Sequence, residues 1–323
     1  MMQRRSFVIA PIALTGALTS FLSFAQTNPK VARIVVPFAP GGVQDLLARA
    51  LSSELGLALS QTVIVDNRPG AGGTVGTGFV AKSAPDSGIM VLAAASHNIA
   101  GSLYTKLVYD PQKDFAPLAH IGTADYVLMV HPDVPAKTAA EYIRYAKANP
   151  GKMNYATAGI GSATHLSMAY FNGLAGIDVV HVPLKATGEA INEVISGRAQ
   201  AVIAASIGAL AFAKDSRIRL IGVTSPKRSK YLPEVPTIAE SGLAGYQFDS
   251  WFGLLGPAAT PAAEVNRINA AVATLLKDPL VLARLDKQGI EPQALSNIDF
   301  AKLLAIDYER MAKVVKASGA KVE

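Results

Sequence analysis

Two strand-to-helix joins carry the residues best suited to chemistry. Ile34 to Val36 is an apolar, β-branched run that enters Pro37-Phe38-Ala39-Pro40-Gly41-Gly42 and then a helical pattern with Asp45 in its first turn. Met153 to Thr157 enters Ala158-Gly159-Ile160-Gly161-Ser162, and a second helix begins there with Thr164 and His165 near its start. A turn of this kind aims free backbone N–H groups and the positive end of a helix dipole at one point, which suits an anion. Two such turns in one chain imply a ligand held between two lobes.

Other chemistries find less support. Ser162 lacks the Gly-x-Ser-x-Gly elbow of a hydrolase, and a hydroxyl at a helix start is expected to be a cap. The five histidines show no His-x-x-x-His spacing, and the chain has no cysteine, so no metal site, thiol nucleophile, disulfide or cofactor is expected. Gly70-x-Gly72-Gly73-x-x-Gly76 fits neither the dinucleotide fingerprint nor a P-loop, and reads as a structural turn. His97 follows the strand Met90 to Ala94, so it is a candidate to line the cleft. Asp249, beside the lone Trp251, is a second candidate, for a ligand amine or a neutral polar group; Asp125 invites the same reading. Trp251 itself is expected to be core or hinge packing, and His165 to brace the second turn.

These turns need a large scaffold. Half of the 323 residues are hydrophobic, enough for two cores of ordinary domain size. Arg4-Arg5-Ser6-Phe7, the apolar run Val8 to Phe24 and the small residues of Ser23-Phe24-Ala25 form a secretory leader, twin-arginine-like, with cleavage expected after Ala25. Residues 1–25 are thus a signal peptide, and the mature protein is expected in the periplasm. Without them the chain carries 28 basic and 24 acidic residues, a mild balance with no aromatic-interleaved basic stripe, so nucleic acid is not an expected partner. A monomer is expected.

Short β-branched runs alternate with helical patterns, which predicts an α/β fold with largely parallel sheets. Strands are expected at 34–36, 62–65, 90–94, 126–130, 155–157, 179–182, 201–204 and 219–223. The chain is expected to cross between lobes near Ile121 to Asp125 and again near Tyr246 to Leu255. That assigns 26–125 and 248–323 to one domain and 126–247 to the other. The helical pattern of Ile298 to Ser318 is expected to pack on the first.

Specific motifs then point to a family. Pro37-Phe38-Ala39-Pro40-Gly41-Gly42-x-x-Asp45, Asn67-Arg68-Pro69-Gly70-Ala71-Gly72-Gly73 and Tyr104-x-Lys106-Leu107-x-Tyr109-Asp110-Pro111 stand in the first third of the chain. Tyr155-x-Thr157-x-Gly159-x-Gly161-Ser162-x-x-His165-Leu166, His181-Val182-Pro183, Pro233-Glu234-Val235-Pro236-Thr237 and Trp251-Phe252-Gly253-Leu254-Leu255-Gly256-Pro257 follow. In this order they resemble the Bug family, the periplasmic solute receptors of tripartite tricarboxylate transporters. The resemblance implies a two-lobed Venus-flytrap fold with two crossing strands, and a non-enzymatic receptor that closes over a small organic carboxylate. It also implies membrane transporter subunits as partners. Family members grip a carboxylate through backbone amides of the glycine turns, which here would supply Phe38, Ala39, Gly41, Gly42 and Asp45 from the first and Thr157, Gly159, Gly161, Ser162 and Thr164 from the second. His181-Val182-Pro183-Leu184-Lys185-Ala186 departs from the usual His-Val-Pro-Tyr-Lys-Gly, and leaves Lys185 as a candidate partner for a second carboxylate. A sensor subunit passing ligand status to a signalling protein is the alternative, and an extracytoplasmic enzyme with His97 or His165 as base a more distant one.

Overall fold

The structure, a computed structural model, describes residues 31–320; the leader and its cleavage site lie outside the described residues. Element order is β1 (Val31–Val36), α1 (Val43–Leu59), β2 (Thr62–Asn67), α2 (Thr74–Ala81), β3 (Ile89–Ala94), α3 (Ala95–Leu103) and β4 (Phe115–Val130). Then come α4 (Ala139–Ala148), β5 (Asn154–Thr157), α5 (Ala163–Ala175), β6 (Val180–Pro183), α6 (Thr187–Ile195), β7 (Ala201–Ala205), α7 (Ser206–Leu210) and β8 (Arg219–Val223). The chain closes with β9 (Asp249–Pro257), α8 (Ala262–Leu275), α9 (Pro279–Lys287), β10 (Glu291–Pro292) and α10 (Asn297–Ser318).

The strands follow the path β2-β1-β3-β9-β4-β7-β5-β6, with β8 and β10 paired to β4 at its sides. β1 lies parallel to β2 and β3, and β5 parallel to β6 and β7, as alternating strands and helices dictate. The pairs formed by β9 and β4 are antiparallel, so the arrangement is mixed rather than largely parallel. β4 departs most from the sequence expectation. It is one 16-residue strand, whose first half pairs with β9 and β10 and whose second half pairs with β7 and β8. Register shifts at Pro117/Ala119 and His120/Gly122 mark where it bends, and Pro117 sits at the first because it has no N–H for a regular ladder.

The apolar faces bury in separate clusters on the two sides of this long strand. Ile34, Val36, Leu47, Leu51, Met90, Phe252 and Leu254 belong to one; Leu128, Tyr142, Phe171, Ile203, Tyr246 and Phe248 belong to another. Helix α10 joins the second of these to a further cluster. Its Phe300 packs with Val35, Val91 and Trp251, whereas Met311, Val314 and Val315, further along the same helix, enter the cluster of Leu166 and Phe171 on α5. The expectation that this helix serves the first core alone holds for only its first half.

Candidate ligand-binding site

Each glycine turn sits where a parallel strand ends and a helix begins, and each is wired by its own side chains. In the first, Gly41 takes φ +81°, a left-handed value that glycine adopts without strain. Its N–H donates to Asp45 Oδ2 at 2.9 Å, and Arg49 holds the same carboxylate at 2.9 Å. Burial acts to raise the pKa of Asp45, but Arg49, the Gly41 N–H and Asn67 outweigh it and the net shift is downward. Asn67, the last residue of β2, donates Nδ2 to the Phe38 carbonyl at 3.1 Å, while its Oδ1 accepts from Arg49 at 3.2 Å. The Asn67 motif is therefore a brace for the first turn.

The second turn is shaped by hydroxyls. Ser162 Oγ donates its single proton to the Gly159 carbonyl at 2.6 Å and accepts from the His165 N–H at 3.2 Å, capping α5 as expected. Thr164 Oγ1 accepts from the Ala158 N–H at 2.8 Å and lies 2.9 Å from Ser162 Oγ, to which it must donate, because the proton of Ser162 is already committed. Gly159 N–H goes to Thr157 Oγ1 at 3.1 Å, and Thr157 Oγ1 in turn bonds His181 Nε2 at 2.7 Å. Gly161 N–H goes to His165 Nδ1 at 3.3 Å. His165 and His181 stack with centroids 4.3 Å apart; burial lowers both pKa values to about 4, for His165 with a smaller contribution from His181, so both rings are neutral.

This wiring revises the expected grip. The N–H groups of Gly41, Gly159 and Gly161 already have acceptors inside their own loops, and the hydroxyls of Ser162 and Thr164 have no proton to spare. The N–H groups of Val43, Gln44, Ala163 and Thr164, in the first turns of α1 and α5, have no acceptor among the described residues. Those four residues line one cavity of about 40 Å³, together with Phe38, Ala39, Gly42 and Ser162. Two helix N-termini, one from each turn, thus meet at a single space. Its walls include Ala94, Ser96, Tyr126, Ala186, Ala205 and Phe252, and no Asp, Glu, Lys, Arg or His side chain is among its lining residues.

Three expected contacts lie elsewhere. His97 is buried in an aromatic nest, 4.8 Å from the Phe115 ring and 6.2 Å from Tyr109, and donates Nε2–H to the Pro111 carbonyl at 2.9 Å. The strand–helix join after β3 does reach the cavity, but through Ser96, one residue earlier, because α3 starts directly at Ala95. Asp249 faces Asp125 across the β4/β9 ladder and is ion-paired to Arg310 on α10. Lys185 is exposed, and its backbone N–H donates to Glu189 at 3.0 Å. A larger cavity of about 590 Å³ opens at the opposite ends of β1 and β3, beside Val31, Gly88 and Arg267. It is remote from both helix starts, and in α/β sheets ligands gather at the carboxyl ends of strands.

Residues 47–320 match the family described as the tripartite tricarboxylate transporter family receptor, TctC. The chain belongs to this family. The protein BugT of Bordetella pertussis is 30% identical to it over 325 residues, covering 100% of this chain and 99% of that one. Among solved structures, R. palustris Rpa4515 with adipate shares 31% identity and a TM-score of 0.86, over 91% of this chain and 99% of that chain. MatC from Rhodopseudomonas palustris with bound malate shares 31% identity and a TM-score of 0.83, over 88% and 98%. The fold is accordingly that of the periplasmic binding proteins, and this TctC-family chain is a solute-receptor relative whose neighbours hold carboxylates. No helix among the described residues is long and apolar enough to cross a membrane.

Proposed function

We propose that the mature chain is a periplasmic receptor that closes two lobes over a small organic carboxylate and presents it to the membrane subunits of a tripartite tricarboxylate-type transporter. Residues 26–125 and 248–323 form one lobe in this reading and 126–247 the other, with β4 and β9 as the crossing strands. The observation that carries it is the convergence of unpaired N–H groups from α1 and α5 on one uncharged cavity. Each helix N-terminus carries about +0.5 elementary charge, so the pair offsets one carboxylate without a basic side chain. Charge-assisted N–H···O bonds are roughly twice as strong as neutral ones, and hinge closure strengthens them by removing water. No bond is made or broken. Adipate and malate in two solved structures similar to this chain support the ligand class.

Thermal unfolding of the chain from Gln26, freed of copurified solute, tests this against mono- and dicarboxylates, aromatic acids and acidic amino acids. A ligand bound only by the folded state raises the midpoint with concentration, by about 2.7 kcal/mol of stability at a hundredfold excess over Kd. Amines and sugars raising the midpoint while every acid leaves it unchanged would defeat the proposal.

A further inference from the structure

Ser96 is 7% exposed and lines the cavity, and its hydroxyl has no hydrogen-bond partner among the described residues. Gln44 is 9% exposed and lines the same space; its Nε2 reaches only the Leu92 carbonyl, at a long 3.4 Å, and its Oε1 has no partner there. Neither Ser96 Oγ nor Gln44 Oε1 is sealed off from the cavity, so both are open to bond a ligand atom that enters it. Both are neutral. Gln44 stands in the first turn of α1, one of the two helices whose N–H groups meet at the cavity, and Ser96 is the second residue of α3.

The rest of the wall carries no charge: the rings of Phe38 and Phe252, the methyl groups of Ala158, Ala186 and Ala205, and the neutral side chains of Tyr126 and Thr187. Nearby ionisable groups are already neutralised, since Asp45 is paired with Arg49, and neither residue lines the cavity. The space is also small. At about 10–15 Å³ per water in this measure, 40 Å³ holds about three waters. A second carboxylate would meet aromatic rings, alanine methyls and neutral hydroxyls, with no cation to pair it.

Resting on the carboxylate-receptor reading, we infer that the solute is a short monocarboxylate bearing a neutral hydroxyl or oxo group, which Ser96 and Gln44 read. Ser96 donates to that oxygen, and the Gln44 Oε1 accepts from a hydroxyl when one is present. Specificity then comes from leaving buried polar groups unpaired when the substituent is missing.

Titration calorimetry of the ligand-free mature protein with lactate, pyruvate, propionate and succinate tests this, with Ser96→Ala alongside. Lactate or pyruvate is expected to bind at least about tenfold more tightly than propionate, the value of one hydrogen bond to a buried group, and at least about a hundredfold more tightly than succinate. Ser96→Ala is expected to bring the ratio of hydroxy or oxo acid to propionate close to one. Because that ratio is taken on one preparation, any misfolded fraction cancels. Succinate binding as tightly as lactate, or a ratio unmoved by Ser96→Ala, overturns the inference and leaves the carboxylate receptor standing. Binding by none of the acids overturns both.

Discussion

Trp251 Nε1 donates to the Asp307 carboxylate at 2.8 Å, tying the only tryptophan of the chain, on strand β9, to helix α10. Asp307 is 4% exposed and also accepts from Asn98 Nδ2 at 2.8 Å and from Arg310 at 2.7 Å. Arg310 passes the connection on to Asp249, the first residue of β9. Strand β9 and helices α3 and α10 are thus fastened at one carboxylate.

Asp307→Ala should therefore destabilise the protein strongly. It leaves the Trp251 Nε1–H, and the one Asn98 N–H not taken up by the Leu304 carbonyl, buried without an acceptor and removes half of the ion pairing of Arg310. Breaking a buried charge network by removing one member costs about 3–5 kcal/mol. Urea unfolding followed by Trp251 fluorescence measures it; a loss below 1 kcal/mol would mean the network is not formed in solution.

His97 should make stability depend on acid. Burial lowers its pKa from 6.5 to about 4, partly opposed by its bond to the Pro111 carbonyl. The unfolded chain therefore binds this proton more readily than the folded one, and the stability present above pH 6.5 falls as pH drops towards 4. The slope from a fully buried histidine approaches about 1.4 kcal/mol per pH unit. His97→Gln should flatten the curve between pH 6.5 and 4 relative to wild type. Parallel curves for the two proteins would refute the assignment.

Gly41 and Gly161 should respond differently to a side chain. A Cβ on Gly41 meets nothing within 4 Å, so Gly41→Ala suffers only the strain of φ +81°, about 1–2 kcal/mol. A Cβ on Gly161, at φ +83°, would lie 2.9 Å from Tyr104 Oη and 3.2 Å from Leu103 Cδ2. Gly161→Val should then disturb the second turn itself and weaken solute binding more than Gly41→Ala does, by at least about tenfold. Equal effects in calorimetry would show that conformation alone matters at both places.

Tyr104 reaches from the end of α3 to the second turn, where its hydroxyl donates to the Ile160 carbonyl at 3.4 Å. The bond is long and exposed, so Tyr104→Phe should cost about 0.5 kcal/mol and speed solute release about twofold, leaving association unchanged. Stopped-flow release rates test this, and a slower release would contradict it.

Much of this arrangement was legible in the chain because each β-branched run ends in a turn whose glycines and hydroxyls announce its shape. The strand at 34–36 and the helix after Gly42 lie where the pattern placed them, as do the strand at 155–157 and the helix after Ser162. Helix α3 was not visible: Ala95-Ser96-His97-Asn98 follows β3 with no turn residue, and its helical start moves the cavity contact from His97 to Ser96. Helix α2 was hidden by Gly76 and Gly78, which tertiary packing tolerates and intrinsic propensity does not. The internal acceptors of Gly41 and Gly161 depend on how far Asp45 and His165 reach back, a matter of rotamer rather than spacing. Tyr126, Ala205 and Phe252 reach the site only because β4, β7 and β9 run side by side, which no local pattern records.

The proton chain from Thr164 through Ser162 to the Gly159 carbonyl has a thermodynamic consequence. Freezing a free rotor at a binding surface costs about 0.5–1.5 kcal/mol, yet here both hydroxyl side chains are already fixed by the loop they build. The second turn is preorganised, so an arriving anion displaces water without also ordering the side chains that shape its seat. If the lobes close over a solute as proposed, the lifetime of the complex is then set by how often the closed form reopens.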